Sequence, residues 1–161
     1  MLPHKLSNDL CSLNEKTPKL VMACLMEINN NGDVVNYEIK EAVIETKHRM
    51  SYTNVNKIID NDLEIKEKYK DIVNDVILMN KVAHILSNKR AKNGALNFEI
   101  PEAKIIVDEK GYPIDVQLRE RYEGEKLIEQ FMLTANETVA TCINQMDLPF
   151  IYRVHDEPKQ D

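Results

Sequence analysis

Hydrophobic residues recur along this 161-residue chain with two periods, one typical of helices and the other of strands. The helical period is clearest in the stretch 119–140 and its continuation, which predicts a long amphipathic helix. Its expected apolar face comprises Ile128, Phe131, Met132, Ala135, Val139, Cys142 and Ile143. Its expected polar face comprises Gln130, Thr134, Glu137, Thr141 and Asn144, and a stripe of Glu129, Leu133, Asn136 and Ala140 runs beside the apolar face.

Two pairs of strand-like segments predict antiparallel hairpins. Residues 20–28 form a nearly continuous apolar run, which is typical of a strand covered on both faces. The Asn-Gly dipeptide that follows is a strong signal for a hairpin turn, and residues 34–46 supply the returning strand. Residues 95–107 and 114–121 predict a second hairpin, and Pro101 within its first strand indicates an edge or a bulge.

The remaining pattern predicts further helices. Thr53 is a good N-cap for a short helix at 54–60, and a polar break follows it. Residues 64–92 keep helical spacing for their apolar side chains, and Gly94 supplies a left-handed stop. The segment FIYRVH at 150–155 predicts a short strand. These elements together predict one domain of the α+β class, with antiparallel hairpins packed against two long helices.

Composition indicates an ordinary soluble domain. Hydrophobic residues make up 43% of the chain, charged residues 30%, and the formal net charge is −6. This balance argues against an autonomous nucleic-acid binder, which usually carries a basic face, but leaves room for a local basic strip. The three cysteines are isolated, so we expect no disulfide framework or zinc site, and reduced thiols fit the cytoplasm. No apolar run is long enough to span a bilayer.

Two charged positions have alternative interpretations from the residues alone. Glu129 lies at the edge of a buried stripe, where a carboxylate must be paired, bound or partly hydrated. Its partner is either an arginine from the segment 119–121 or a polar ligand. The basic cluster around Arg90, on the last turn of the predicted helix 64–92, either compensates the helix dipole or contacts a phosphate.

Five segments carry motifs that occur in a recognisable order. They are LSNDLCSLN (6–14), RMSYTNVN (49–56), GALNFEIPEAK (94–104), EKLIEQFMLTANETVA (125–140) and LPFIYRVHDEP (148–158). Together they resemble the catalytic RNB domain of ribonuclease R in the exoribonuclease II family, over essentially the whole chain. The resemblance implies a partial RNB-domain fold. It also implies a cytoplasmic hydrolase that degrades single-stranded RNA processively from the 3′ end to nucleoside monophosphates, with magnesium.

The resemblance further implies that residues 1–161 form the central part of a single RNB domain. The family's DxDD-type aspartate cluster, which holds the metal, precedes the LSNDLCSLN motif, and its catalytic arginine, in a SPIRRY-like motif, follows the last segment. This sequence contains no DxDD cluster of its own. We therefore expect magnesium to be held by residues outside this chain and the chain alone to be inactive. RNA is the expected partner of the whole enzyme, with no role for DNA or a membrane.

Two positions correspond to residues that contact RNA in the family. Phe98, in GALNF, matches the aromatic residue that stacks on the terminal base, an interaction that reads no sequence and suits a processive nuclease. From its own surroundings, Phe98 would instead be a core residue of a strand. Glu129 matches a carboxylate that contacts the ribose near the scissile end, although Gln130 replaces the second acid of the family's LIEE pattern.

Further correspondences concern the same helix and the last segment. Asn136 shares a line of the helix with Glu129, where it would orient Glu129 or touch the RNA backbone. Arg153 and His155 occupy the family's xRxH segment, as structural residues or as part of the cavity lining. The pair Glu123-Gly124 departs from the family at the helix start and is expected to loosen it.

Two other classes of function stay open from the sequence. One is a non-catalytic RNA-binding module, whose affinity would fall with salt according to the number of phosphates contacted. The other is a purely structural or interaction module without a ligand, in which an exposed sheet edge would favour self-association.

Overall fold

The computed structural model describes residues 2–95, 102–119 and 121–154, and its elements are two antiparallel hairpins and a group of helices. In chain order these are a π-helical turn Leu6–Leu10, β1 Pro18–Ile28, β2 Val34–Glu45, α1 Tyr52–Ile59, α2 Leu63–Lys68, α3 Val73–Lys92, β3 Glu102–Val107, β4 Pro113–Arg119 and α4 Glu123–Gln145. Strand β1 pairs with β2, and β3 pairs with β4. The predicted α+β class with two antiparallel hairpins is therefore confirmed.

The turn of the first hairpin follows from its own side chains and from α3 below it. The Asn29 side-chain oxygen accepts hydrogen bonds from the backbone N–H of Asn31 and of Asp33, both at 2.9 Å. Gly32 has φ +81°, and a Cβ there would lie 3.3 Å from Ile85 in α3. Only glycine meets both conditions without strain, so the predicted Asn-Gly turn is confirmed.

One face of strand β1 is covered over only part of its length. Leu20, Met22, Cys24 and Met26 lie on the same face of the strand. Leu20 and Met22 are exposed, whereas Cys24 and Met26 are half-buried. The covered half lies against α4, where the Thr138 hydroxyl lies 3.5 Å from the Met26 sulfur. Burial there raises the pKa of the Cys24 thiol. The expectation of a strand covered on both faces along its length is therefore wrong for the described residues.

The helix predicted at 64–92 is two helices, α2 and α3. Tyr69 and Ile72 leave helical geometry between them, with φ −116° and −122°. The break lets the Tyr69 ring enter the core, where its hydroxyl accepts a hydrogen bond from the Asn54 amide at 3.2 Å. Tertiary packing here overrides a continuous helical period. The cap of α1 also differs from expectation: Ser51, not Thr53, accepts the hydrogen bond of the N-cap.

The core lies where α1, α3 and α4 meet, and it extends at Cys142 to Cys24 and Tyr37 of the first hairpin. Its buried hydrophobic side chains are Ile58, Tyr69, Val76, Ala83, Leu86, Leu127 and Cys142. Helix α4 turns a different face inward from the one predicted, because Thr134 and Thr138 are buried while Ile128 and Met132 are exposed. The two hydroxyls each donate to the backbone carbonyl four residues earlier, at 2.8 Å, so their burial leaves no unpaired polar group.

Two parts of the chain, hairpin β3–β4 and residues 148–154, are poorly covered by the rest of the domain. Hairpin β3–β4 exposes one apolar face, formed by Ile105, Val107, Ile114, Val116 and Leu118. The strand predicted at 150–155 is absent, since residues 148–154 have no regular structure and residue 155 lies outside the described part. A strand needs a hydrogen-bonded neighbour, and within residues 2–95, 102–119 and 121–154 this segment has none.

Helices α1 and α4 make a close contact at Gly124. The Asn56 side-chain oxygen accepts a hydrogen bond from the Gly124 N–H at 2.7 Å, and the Asn56 amide lies 3.5 Å from Glu125. A Cβ at Gly124 would lie 3.0 Å from Asn56 and 3.3 Å from Val55. Gly124, one of the two residues expected to loosen the start of α4, instead allows the close packing that holds it.

Replacing Asn56 with alanine should lower the free energy of unfolding by about 1–2 kcal/mol, because a half-buried donor on α4 loses its acceptor. Urea denaturation measures this change. Asn88→Ala, at an exposed position of α3, is the matched control and should change stability by less than about 0.5 kcal/mol. Equal effects of the two substitutions would contradict the capping role of Asn56.

Asp33 should make the free energy of unfolding depend on acid pH. Hydrogen bonds from Lys89 and Asn29 hold the pKa of the Asp33 carboxyl below its usual value. A lowered folded-state pKa adds stability that is present above the unfolded value, about 3.9, and is lost as the pH falls through the lower folded value. Asp33→Asn should flatten the loss of stability below about pH 4 in urea titrations at successive pH values. Asp60→Asn, which removes an exposed carboxylate at the end of α1, is the matched control, and an equal effect of the two substitutions on the slope would contradict the prediction.

Candidate functional site

Glu129 lies on the outer side of α4, in its second turn, and is held by an arginine. The Arg121 guanidinium, just before the helix, donates from Nη2 to Glu129 Oε2 at 2.8 Å. The side chain of Glu129 is 37% exposed and that of Arg121 48% exposed. One of the two partners considered from the sequence, an arginine of the segment 119–121, is therefore present, and the carboxylate still reaches solvent.

Arg90 connects the end of α3 to α4. Its Nη1 and Nη2 donate to the two carboxylate oxygens of Glu137 at 2.6 and 2.9 Å. The neighbouring Lys89 donates to the Gly32 carbonyl at 3.1 Å and lies 2.8 Å from Asp33. The two basic residues are thus each neutralised by a carboxylate, and a phosphate contact of Arg90 stays a prediction.

These two ion pairs lie beside a cleft of about 520 Å³. The cleft is bounded by the first hairpin turn, the C-terminal end of α3 and the middle of α4, and its lining residues are Gly32, Val34, Leu86, Lys89, Arg90, Asn93, Gly94, Ala95, Thr134, Glu137 and Thr138. Gly94 ends α3 with φ +89°, which confirms the predicted left-handed stop. The cleft contains polar groups, but its charges are already paired.

The other predicted site residues are only partly described. Asn136 is exposed on α4, two helical turns beyond Glu129, as the shared line of the helix requires. Arg153 is exposed in the segment without regular structure. Phe98 and His155 lie outside the described residues, so their positions relative to Glu129 are not part of this structure.

Gln130 is the least expected member of this helix. Its side-chain oxygen is buried and has no hydrogen-bond partner among the residues that the structure describes. A carboxylate at the same place would have to be buried without a partner at much higher cost. An amide is thus the less costly of the two groups in these surroundings. Sequence comparison with the LIEE pattern identified the replacement but not the burial.

The described residues contain no grouping of three or more His, Cys, Asp or Glu side chains that would hold a metal ion. They do not fit a magnesium site, and no chemical step is assigned to them through one. No helix in the described part of the chain is long and apolar enough to cross a membrane.

The chain matches the RNB domain over residues 1–161 and belongs to that family. It is 48% identical to Ribonuclease R 1 of Lactococcus lactis subsp. lactis over 161 residues, which are all of this chain and 20% of that protein. It is 44% identical to ribonuclease R of Thermotoga maritima, over 98% of this chain and 22% of that protein. It therefore spans about a fifth of the length of these two relatives.

A solved structure gives the same result for the fold. The chain superposes with a TM-score of 0.89, at 33% identity, on Mycoplasma genitalium RNase R in complex with ribose methylated single-stranded RNA. The match covers 98% of this chain and 24% of that one. The resemblance inferred from the five motifs is therefore confirmed, and so is the fold that it implied.

Two residues in these contacts have roles that the sequence does not indicate. Glu137 belongs to the predicted polar face, where the sequence shows no partner for it, and Asn56 belongs to the RMSYTNVN motif without a predicted role. The motif itself was the available signal for Asn56. The partner of Glu137 could be found only once the crossing of α3 and α4 was known.

The Arg90–Glu137 pair should stabilise the protein through a measurable coupling. A double-mutant cycle of Arg90→Ala and Glu137→Ala, followed by urea denaturation, should give a coupling energy of about 0.5–1 kcal/mol because the contact is bidentate. The same cycle on Lys70 and Glu67, both more than 70% exposed and 3.4 Å apart, is the control and should give a smaller value. A coupling energy near zero for Arg90 and Glu137 would contradict the prediction.

Proposed function

We propose that this chain is the central part of the RNB domain of a cytoplasmic, magnesium-dependent exoribonuclease that degrades single-stranded RNA processively from the 3′ end to nucleoside monophosphates. The observation that carries the proposal is the match to the RNB domain over the entire chain. The superposition on an RNase R whose solved structure contains single-stranded RNA supports RNA as the substrate class. The three free cysteines, Cys11, Cys24 and Cys142, are in keeping with a reducing compartment.

In this proposal the chain supplies contacts to RNA rather than the metal centre. Glu129 contacts the ribose near the scissile end, and its solvent-exposed carboxylate on the outer side of α4 supports this role. Phe98 stacks on the terminal base, and Asn136, Arg90 and His155 are further contacts to RNA. Magnesium would be held by residues outside this chain and would supply Lewis-acid chemistry for the hydrolysis.

The exposed apolar face of β3–β4 supports the view that the domain is partial. Its five large side chains are each more than half exposed, which is costly for a sheet face that remains in water. Further polypeptide of the same domain would cover this face. The same exposure is the one observation that favours the purely structural alternative, in which a second copy covers it.

The isolated chain should release no mononucleotides from labelled single-stranded RNA in the presence of magnesium, because the described residues offer no metal site. Denaturing gel electrophoresis of the labelled RNA measures the release, with a full-length ribonuclease R as the positive control. Release of mononucleotides by the purified chain would contradict the proposed division of roles.

Grafting tests the function directly. In a grafted ribonuclease R, this chain replaces the matching segment of Ribonuclease R 1 of Lactococcus lactis, to which it is 48% identical. The graft should degrade single-stranded RNA from the 3′ end, whereas a version that carries the segment in scrambled order should not. A folded graft that binds no RNA would reject the proposed function. Salt-dependent RNA binding by the isolated chain, together with a graft that does not degrade RNA, would instead favour the RNA-binding module.

A further inference from the structure

The two arginine pairs of α4 differ in how much of their hydrogen-bonding capacity is used. In the Arg90–Glu137 pair, both terminal guanidinium nitrogens and both carboxylate oxygens take part. In the Arg121–Glu129 pair, one nitrogen donates to one oxygen. A guanidinium carries five N–H donors and a carboxylate has two acceptor oxygens. The Arg121 guanidinium therefore keeps unused N–H donors, and the Glu129 carboxylate keeps one unused acceptor oxygen.

The remaining groups of this pair are accessible. Arg121 and Glu129 are 48% and 37% exposed. The acidic residues of the first turn of α4 do not use up the arginine, since each has a partner: Lys126 lies 3.3 Å from Glu123, and the Asn56 amide lies 3.5 Å from Glu125. The helix N-terminus adds a partial positive charge beside Arg121.

Such a pair combines the two groups that one nucleotide unit requires. A guanidinium binds the oxygens of a phosphate in a geometry that lysine cannot reproduce, and it can keep its contact to a carboxylate at the same time. The free carboxylate oxygen accepts from a hydroxyl. Ribose and phosphate are adjacent in RNA, just as these two side chains are adjacent here.

We propose that Arg121 binds a backbone phosphate of RNA while Glu129, which it holds in place, accepts a hydrogen bond from the adjoining ribose. This inference rests on the proposed function and extends it to Arg121, which the sequence analysis predicts only as an ion-pair partner of Glu129. An exposed ion pair contributes little to the free energy of unfolding, so replacement of Arg121 should leave the protein folded.

The grafted ribonuclease R tests the proposal through binding of a 3′-intact, 5′-fluorescein-labelled oligoadenylate, measured by fluorescence anisotropy in EDTA so that no hydrolysis occurs. Arg121→Gln should weaken binding roughly tenfold, as expected for the loss of a charged hydrogen bond. It should also reduce the slope of log affinity against log salt by about 0.7, the value for one phosphate of a single strand. Lys126→Gln removes the same charge from the same end of α4 and should change neither quantity measurably.

Modified RNA then identifies the group that Arg121 contacts. Neutral methylphosphonates are introduced one at a time along the 3′-terminal nucleotides. At one position the modification should weaken binding by the unaltered graft and abolish the difference between that graft and Arg121→Gln. If the difference disappears only with a 2′-deoxy substitution, Arg121 acts solely through Glu129 and the phosphate contact is rejected.

The outcomes separate this inference from the proposed function. Degradation and binding by the unaltered graft, together with equal effects of Arg121→Gln and Lys126→Gln, would overturn the inference and leave the proposed function standing. A folded graft that binds no RNA would reject both. Circular dichroism and thermal unfolding of each variant show that a loss of binding does not come from loss of the fold.

Discussion

The close approach of α1 and α4 at Gly124 is the constraint on which the rest of the structure depends. The Asn56 side chain occupies the space that a Cβ would need and satisfies the N–H of Gly124 in the first turn of the helix. This contact fixes where α4 begins and therefore where its side chains lie. The ion pair to α3 and the contact to β1 both follow from that placement, as does the position of Glu129.

Helix α4 faces three different surroundings at once, and its composition reflects this. The inward face includes threonines whose hydroxyls bond to their own helix, so a small polar side chain can be buried against the hairpin and α3. The outward face carries Ile128 and Met132 beside Glu129. Apolar side chains next to an accessible carboxylate are typical of a surface that contacts a ligand or more polypeptide, rather than of one that only faces water.

How much the sequence predicts depends on how local the determining interaction is. The first hairpin turn and the stop of α3 at Gly94 were predicted because each needs a glycine with positive φ, a local requirement. The break near Tyr69 was missed because a contact with α1 decides it. In the site, an arginine was one of two alternatives predicted as the partner of Glu129, and the choice of Arg121 required the geometry of the helix start.

The net charge of −6 is compatible with the proposed contact to RNA. At physiological salt, a charge acts over only about 8 Å, so an acidic chain can still contact a polyanion through a few well-placed groups. Where carboxylates have partners, as in the Arg90–Glu137 pair, they are locally neutral. An RNA contact in this region must then come from short-range hydrogen bonds to ribose and phosphate rather than from a long-range field. A pair that keeps free donors and a free acceptor is suited to that kind of contact.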